Sequence, residues 1–391
     1  MIRLILSFLI ASTIFITSAH AEVTVGASHT SEYIPELRQS KARVGLFTNH
    51  TGLVGSRHIL DILIDSGIDV RKIFTPEHGF RGSADAGEHV KSDVDSRTGI
   101  PIASLYGSGA KAALTAESLK DIDVIITDIQ DVGLRFYTYY CTMLDLMKAA
   151  GANGKSFIIL DRPNPNGMTV DGPILDMKYA SGVGRLPIPV CHGMTLGELA
   201  LFAVGEGCIK GCDDMPLKVV KCGDYTHSTR YTLPVPPSPN LPDMKSIYLY
   251  PSMCYFEATS MSLGRGTDMP FCVYGHPSLK GKMNFSFTPR SRTGAKRPPL
   301  MNLTCYGRDL RTLSDDEIIS AGVNLEYLIE AYRLMGKNEK FLTTFFEKLI
   351  GNGRIRTMIT SGKSAAEIKA SWQSEVEEFK NIRNKYLIYP E

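Results

Sequence analysis

From Ala42 to about Val220, short apolar stretches rich in β-branched residues alternate with longer stretches whose apolar positions recur at helical spacing. The short stretches Arg43–Phe47, Val70–Phe74, Val124–Ile126 and Phe157–Leu160 predict strands; His58–Ser66, Tyr139–Ala150 and Thr195–Gly205 predict helices. Strand and helix in alternation predict a parallel sheet with crossover helices, so the fold class is α/β. Each predicted strand runs into a polar cluster: Thr48-Asn49-His50, Thr75-Pro76-Glu77-His78, Thr127-Asp128-Ile129-Gln130-Asp131 and Asp161-Arg162-Pro163-Asn164. In a parallel sheet all of these arrive at one edge, where open α/β sheets bind ligands.

The alternation stops at Leu233–Pro242, where five prolines fall within ten residues and exclude helix and sheet interiors alike. This run predicts an ordered crossover between a first domain, 22–242, and a second, 243–391. The second opens with Tyr255-Phe256-Glu257-Ala258-Thr259 and Leu263-Gly264-Arg265-Gly266-Thr267. It closes in a predicted helix, with Ser364 and Glu367 as a capping pair and Ile368, Trp372, Val376, Phe379 and Tyr386 on its packing face.

The N-terminus has one basic residue, Arg3, an apolar run from Leu4 to Ile16, and a small-x-small ending at Ala19-His20-Ala21. Residues 1–21 read as a secretory signal cleaved before Glu22. The apolar run is shorter than the roughly 20 residues that cross a hydrocarbon core, so no stable membrane insertion is expected after cleavage and the chain is expected in the periplasm or outside the cell. An uncleaved anchor is the alternative. With 43 basic and 41 acidic side chains the net charge is +2, and no basic block stands out, which argues against a nucleic-acid partner. The eight cysteines leave pairing open between bridges, with Cys208, Cys212 and Cys222 closest together, and buried thiols.

Glu77 follows Pro76, whose fixed φ stiffens its approach, and lies between Phe74 and Phe80. An apolar setting disfavours ionisation, as a general acid requires; the alternative is an ion pair with Arg81. Asp128, Gln130 and Asp131 precede Arg135, Tyr137, Tyr139 and Tyr140. Carboxylates and amides beside aromatic faces suit a sugar, which offers hydroxyl rims and apolar ring faces. For Asp131 a local ion pair with Arg135 is the competing reading. The adjacent Glu77-His78 and Glu88-His89 lack metal-ligand spacing, Tyr106-Gly107-Ser108-Gly109 lacks a dinucleotide fingerprint, and Cys191-His192 lacks a third partner, so neither metal nor cofactor is expected.

Taken together, TPEHGFRG, DIQDVGLRFYTY, LDRPNPNG, PIPVCHGMTLGELA, VPPSPNLP, LGRGT and the closing SWQSEVEEFKNIRNKYLIYP resemble the NamZ-type exo-β-N-acetylmuramidases, from about Arg43 to Pro390. The resemblance implies a Rossmann-like parallel-sheet domain, a smaller α+β C-terminal domain and a cleft between them. It implies release of N-acetylmuramic acid from non-reducing ends of peptidoglycan fragments, with MurNAc-GlcNAc glycans as partners. The matching motifs place Glu77, Asp128 and Glu257 as catalytic candidates. They place His78, Arg81, Gln130, Asp131, Arg135, Tyr137, Arg162, Asn164, His192 and Arg265 as substrate-binding candidates, to which the strand-end cluster adds Asn49 and His50. The chain departs from the family pattern at Ala258, Ser260 and Leu263, where glycine, asparagine and glutamate are usual.

Glycoside hydrolysis needs a proton for the leaving oxygen and a stabiliser for positive charge on the sugar. Glu77 is the expected acid; Asp128, Glu257 or the substrate's own 2-acetamido oxygen fills the second role. N-acetylmuramic acid carries a lactyl carboxylate that N-acetylglucosamine lacks, so a selective site needs a placed cation, drawn from Arg81, Arg135, Arg162 and Arg265. Two other classes remain open on the residues alone: a periplasmic sugar- or solute-binding protein, and a metal-dependent cell-wall amidase.

Overall fold

The computed structural model of the chain describes residues 22–76, 79–80, 93–107 and 110–391. Strand β1 (Arg43–Thr48) leads into a short hairpin, β2 (Leu53–Val54) and β3 (Arg57–His58), and then into β4 (Asp69–Thr75). Next come β5 (Asp93–Val94), β6 (Pro101–Ser104), β7 (Val124–Asp128) and β8 (Ser156–Leu160). A two-residue pair, β9 (Val170–Asp171) with β10 (Cys191–His192), precedes β11 (Leu217–Val220). The main sheet has the order β11-β8-β7-β1-β4-β6-β5, parallel throughout except for β5 at the edge. Read from β6 to β11, its six parallel strands follow the 3-2-1-4-5-6 order of a Rossmann sheet.

The period of two along each strand divides the core. Val44, Leu46, Val124, Ile126, Ile158 and Leu160 face one side, with helices Ile34–Ser40 and Ile59–Asp65. Phe47, Ile125, Phe157 and Ile159 face the other, with helices Tyr139–Ala152 and Leu196–Gly205. Because both faces are covered, these strands read as unbroken apolar runs, which made them visible in the sequence. Strands β5, β6 and β11 were not anticipated: β6 begins with a proline, and all three lie toward the sheet edges with short or weakly apolar sequences.

The C-terminal part contributes a three-stranded antiparallel sheet, β12 (Val273–His276), β13 (Phe285–Phe287) and β14 (Cys305–Asp309), in the order β12-β14-β13, and a set of helices. The expected closing helix is two: Ala365–Ala370, capped by Ser364 and Glu367 as anticipated, and Gln373–Arg383. The break falls at Trp372, whose indole is buried and donates to Asp171 Oδ1 at 2.9 Å. The apolar core on the Phe47 side runs without interruption to Phe379, so the segments before and after Pro242 share one core. All eight cysteines are free thiols, Cys208 exposed and the rest buried.

Arg135, expected to bind substrate, instead fastens the two parts together. Its fully buried guanidinium donates from Nη1 to the carbonyls of Pro173 (2.7 Å) and Ile188 (2.8 Å), and from Nη2 to those of Leu349 (3.1 Å) and Ile350 (2.8 Å). No ion pair with Asp131 forms; the two terminal nitrogens are taken up by the carbonyls, and Nε is left without a partner. Gly351 is required beside it: its φ is +75° and a Cβ there would lie 2.5 Å from Arg135 Nη2.

Replacing Arg135 by Met strands four buried carbonyls, and we expect a loss of about 3 kcal/mol or more in urea unfolding, with Arg135→Lys recovering less than half. An Arg135→Met protein as stable as the wild type contradicts this assignment.

Candidate active site

The chain reverses direction across the sheet between β1 and β7, whose ends meet in register at Thr48 and Asp128. In a Rossmann sheet this is where a crevice opens. Here it is filled by a buried polar layer. Asp128 Oδ1 and Oδ2 accept from Arg162 Nε and Nη2 at 2.5 and 3.0 Å, and Arg162 Nη2 also reaches the Leu53 carbonyl at 2.9 Å. Both side chains are essentially without solvent exposure. Asp128 and Arg162 are therefore corrected from catalytic and sugar-binding candidates to a neutralised pair that ties the ends of β7 and β8 to the hairpin. A buried pair of this kind is hard to break, since either partner alone is an uncompensated charge.

The other strand-end residues knit the same layer. Asn49 Oδ1 accepts from the Thr51 backbone (2.9 Å) and hydroxyl (2.6 Å), and the Thr51 hydroxyl accepts from Gln130 N (2.9 Å). Gln130 Nε2 donates to the carbonyls of Asp131 and Pro163, both at 2.8 Å. Asn164 donates to Met194 O (2.9 Å) and accepts from Asn166 N (2.8 Å). Its amide packs so closely on Gly133, at φ +75°, that a Cβ there would fall 2.1 Å from Oδ1. His192 is buried and accepts from Met194 N at 3.2 Å; burial, then Arg383, depress its pKa to about 3, so it is a neutral core imidazole. Asn49, Gln130, Asn164 and His192 thus hold the loops, and none of them lines the cavity described next. Asp131 differs: Oδ1 accepts from Gly133 N at 2.8 Å while Oδ2 is buried with no hydrogen-bond partner, as is Gln130 Oε1.

Above this layer the proline-rich run is pinned across the strand ends. His50 Nε2 contacts Pro236 O at 2.8 Å, and the hydroxyls of Tyr137 and Tyr139 donate to Pro237 O at 3.0 and 3.1 Å. The run so held closes a cavity of about 480 Å³ between the strand-end loops and the C-terminal part. That size suits a small ligand, for which roughly 300–1,000 Å³ is usual. Its wall is aromatic, from Tyr106, Tyr137, Tyr250 and Phe271, with Ser238 and Asn240 as polar points. Two carboxylates, Asp145 and Glu257, and two guanidiniums, Arg185 and Arg265, complete it.

Glu257 and Arg265 reach the cavity for local reasons. Helix Met244–Met253, carrying Pro251, gives way to a 3₁₀ turn, Cys254–Ala258, in which Cys254, Tyr255, Phe256 and Ala258 are buried. Phe256 stacks on Tyr274 with ring centroids 4.7 Å apart, leaving Glu257 as the residue of the turn that faces outward. Arg265 is flanked by Gly264 and Gly266, at φ +86° and +80°, and a Cβ on Gly266 would come 2.5 Å from Arg290 O. This glycine turn presents the guanidinium over the Phe271 ring, 5.1 Å from its centroid, and onto Glu257 Oε1, 3.1 Å from Nε. The departures from the family pattern fall elsewhere: Ala258 and Leu263 are core residues and Ser260 is exposed.

The cavity thus gathers three of the residues expected from sequence, Tyr137, Glu257 and Arg265. Glu77, His78 and Arg81 lie outside the described residues; Thr75 and Pro76, both buried, bring the chain to them at the end of β4. Not foreseen were Tyr106, Asp145, Arg185, Asn240, Tyr250 and Phe271. Of these only Asn240, within the proline-rich run, carried a signal in the sequence.

A family model described as Exo-beta-N-acetylmuramidase NamZ, N-terminal matches residues 44–245, and its C-terminal counterpart matches residues 248–389. The chain is 40% identical over 371 residues to the peptidoglycan beta-N-acetylmuramidase NamZ of Bacillus subtilis (strain 168), across 89% of this chain and 87% of that protein. It is similar to the crystal structures of two DUF1343 family proteins from Bacteroides fragilis NCTC 9343. One is 52% identical with a TM-score of 0.87, covering 95% of this chain and all of that one. The other is 27% identical with a TM-score of 0.75, covering 94% and 99%.

Burial lifts the Asp131 carboxyl from 3.8 to about 7, against backbone donors that pull it down. Between those values the folded state holds the proton that the unfolded chain has lost, so stability falls as pH rises from about 4 to 7. Asp131→Asn removes that slope. Thermal melts at several pH values should show the wild type losing ground to this variant by on the order of 4 kcal/mol across the interval. Parallel pH profiles for the two proteins contradict the assignment.

Proposed function

The chain belongs to the exo-beta-N-acetylmuramidase NamZ family, and from that premise we propose that it releases N-acetylmuramic acid from the non-reducing ends of peptidoglycan fragments. One observation carries the assignment to a site: an aromatic cavity with carboxylates and guanidiniums in its wall, beside the end of β4, where Thr75-Pro76 leads into Glu77. Tyr137, Tyr250 and Phe271 supply apolar faces for a pyranose ring, and Ser238 and Asn240 supply partners for its hydroxyls.

In this reading Glu77 protonates the departing glycosidic oxygen and then takes a proton from the attacking water. Glu257, held by Arg265, is the carboxylate that opposes positive charge as the sugar approaches its oxocarbenium-like transition state. Asp128 takes no direct part, since both its oxygens serve Arg162. The first 21 residues act as an export signal that delivers the enzyme to the envelope where peptidoglycan lies. N-terminal sequencing of the protein from its native cells should begin at Glu22; a sequence beginning at Met1 removes this part of the proposal.

The test of function compares a chromogenic β-N-acetylmuraminide with its β-N-acetylglucosaminide counterpart, for wild type and Glu77→Gln. The wild type should release chromophore from the muraminide. Glu77→Gln should lose about 10²–10⁴-fold in kcat while still binding N-acetylmuramic acid in calorimetry. Cleavage of neither glycoside by the wild type would sink the assignment.

A further inference from the structure

Resting on that reading of the cavity, we propose that Arg185 is the residue that selects muramic acid, by gripping the lactyl carboxylate of the bound sugar in place of Asp145. Muramic and glucosamine glycosides differ only by this acidic substituent, so selectivity between them needs a cation able to accept a new anion. Among the described residues the cavity wall contains two, Arg185 and Arg265.

Their settings differ. Arg265 sits deep, its side chain 18% exposed, stacked on Phe271 and donating from both Nε and Nη2 to one oxygen of Glu257. A ligand carboxylate there meets a second carboxylate that cannot leave, because Glu257 is fixed by the buried turn around it. Arg185 sits at the rim. Its side chain is 39% exposed and that of Asp145 38%, and only Nη1 is engaged, with Asp145 Oδ1. An ion pair this open to water is weak and screened, so it exchanges for a better partner with little loss. The Nε and Nη2 edge of the guanidinium has no partner among the described residues and presents the two parallel donors that a carboxylate takes bidentately.

The backbone carrying Arg185 is set before any ligand arrives. Its amide donates to the Tyr140 hydroxyl at 3.1 Å, Ser181 and Gly184 bridge each other, and Gly182 and Val183 line the same cavity. Asp145 comes from a different element, the helix Tyr139–Ala152, whose Cys141 and Thr142 also line the wall. Tyr140, which accepts from the Arg185 amide, belongs to this same helix, so the backbones of cation and anion are fixed relative to each other while their half-exposed side chains are left to change partner.

The experiment measures kcat and KM for the chromogenic muraminide, its lactyl methyl ester and the glucosaminide, with wild type, Arg185→Ala, Arg185→Lys and Asp145→Asn. Arg185→Ala should raise KM for the muraminide about tenfold or more, leaving kcat and the turnover of the methyl ester little changed. Arg185→Lys should restore part of the loss, as a point charge lacking the fork. Asp145→Asn should lower the muraminide KM, because it removes the competing anion; a merely structural pair predicts the reverse. If Arg185→Ala does not fold, as judged by its melting curve, the Lys and Asn variants and the wild type's response to the methyl ester decide the question. Equal effects on acid and ester, or a muraminide KM unmoved by Arg185 substitution, overturn the inference and leave the muramidase reading standing. Failure of the wild type to cleave the muraminide overturns both.

Discussion

One buried cation determines how the rest of the molecule fits together. Arg135 has no carboxylate beside it; its charge is carried by four carbonyl oxygens drawn from Pro173, Ile188, Leu349 and Ile350. Stripping a guanidinium of water is tolerable only if most of its donors are met, and here the acceptors lie as far as 215 residues along the chain from Arg135, so the contact forms only when all of them are in place. Three parts of the cavity wall hang from these segments. Arg135 itself precedes Tyr137 and the helix bearing Asp145; Pro173 and Ile188 bracket the loop bearing Arg185; and Leu349 and Ile350 end the helix that begins at Phe345, another lining residue.

The same economy of polar contacts explains why a Rossmann strand order does not come with a nucleotide crevice. The switch point between β1 and β7 is occupied by Asp128, Arg162, Asn49, Thr51 and Gln130, whose groups are directed largely at one another or at nearby carbonyls. With that position closed, ligand space can open only further out, where the proline-rich run passes over the strand ends. Proline suits this passage: it needs no backbone donor satisfied, and the carbonyls of Pro236 and Pro237 remain free to accept from His50, Tyr137 and Tyr139. A second network does similar work at the far edge. Asp161, its carboxyl pushed up to about 6 by burial, accepts from Thr195, Gly197 and Tyr389, and so ties the C-terminal segment to the end of β8.

Much of the fold was legible in the sequence because a doubly covered parallel strand leaves an unbroken apolar run, and each such run was found. The edge strands were not, because an edge strand is short and its composition is unremarkable. At the site, the rule that polar residues at strand ends meet ligands located the right edge of the sheet but not the right side chains. Whether Asp128 meets a substrate or Arg162 depends on a partner 34 positions away. Arg135 left no trace at all, since its acceptors are backbone carbonyls, which every residue has. Glu257 and Arg265 were recovered from motifs whose local reason is now plain, a 3₁₀ turn with its neighbours buried and a guanidinium between two left-handed glycines. Arg185 and Asp145 belong to no strand end and no glycine turn, and only the packing of a loop against a helix reveals that they meet.

The two ion pairs of the cavity also divide its labour. Among the described residues the wall balances two guanidiniums against two carboxylates, which suits a pyranose ring whose body carries no charge. Depth then decides which pair can respond. The Glu257–Arg265 pair is partly shielded, shares its cation with an aromatic face and is anchored on a glycine turn, so separating it leaves a charge with little water to receive it. The Asp145–Arg185 pair is more open to solvent, with over a third of each side chain exposed, so water can take over whichever partner is released. In the proposed reading, a charge brought in by a ligand is therefore accommodated by the more exposed pair, while Glu257 keeps its position. That separation lets recognition of an acidic substituent vary without disturbing the geometry on which glycoside chemistry depends.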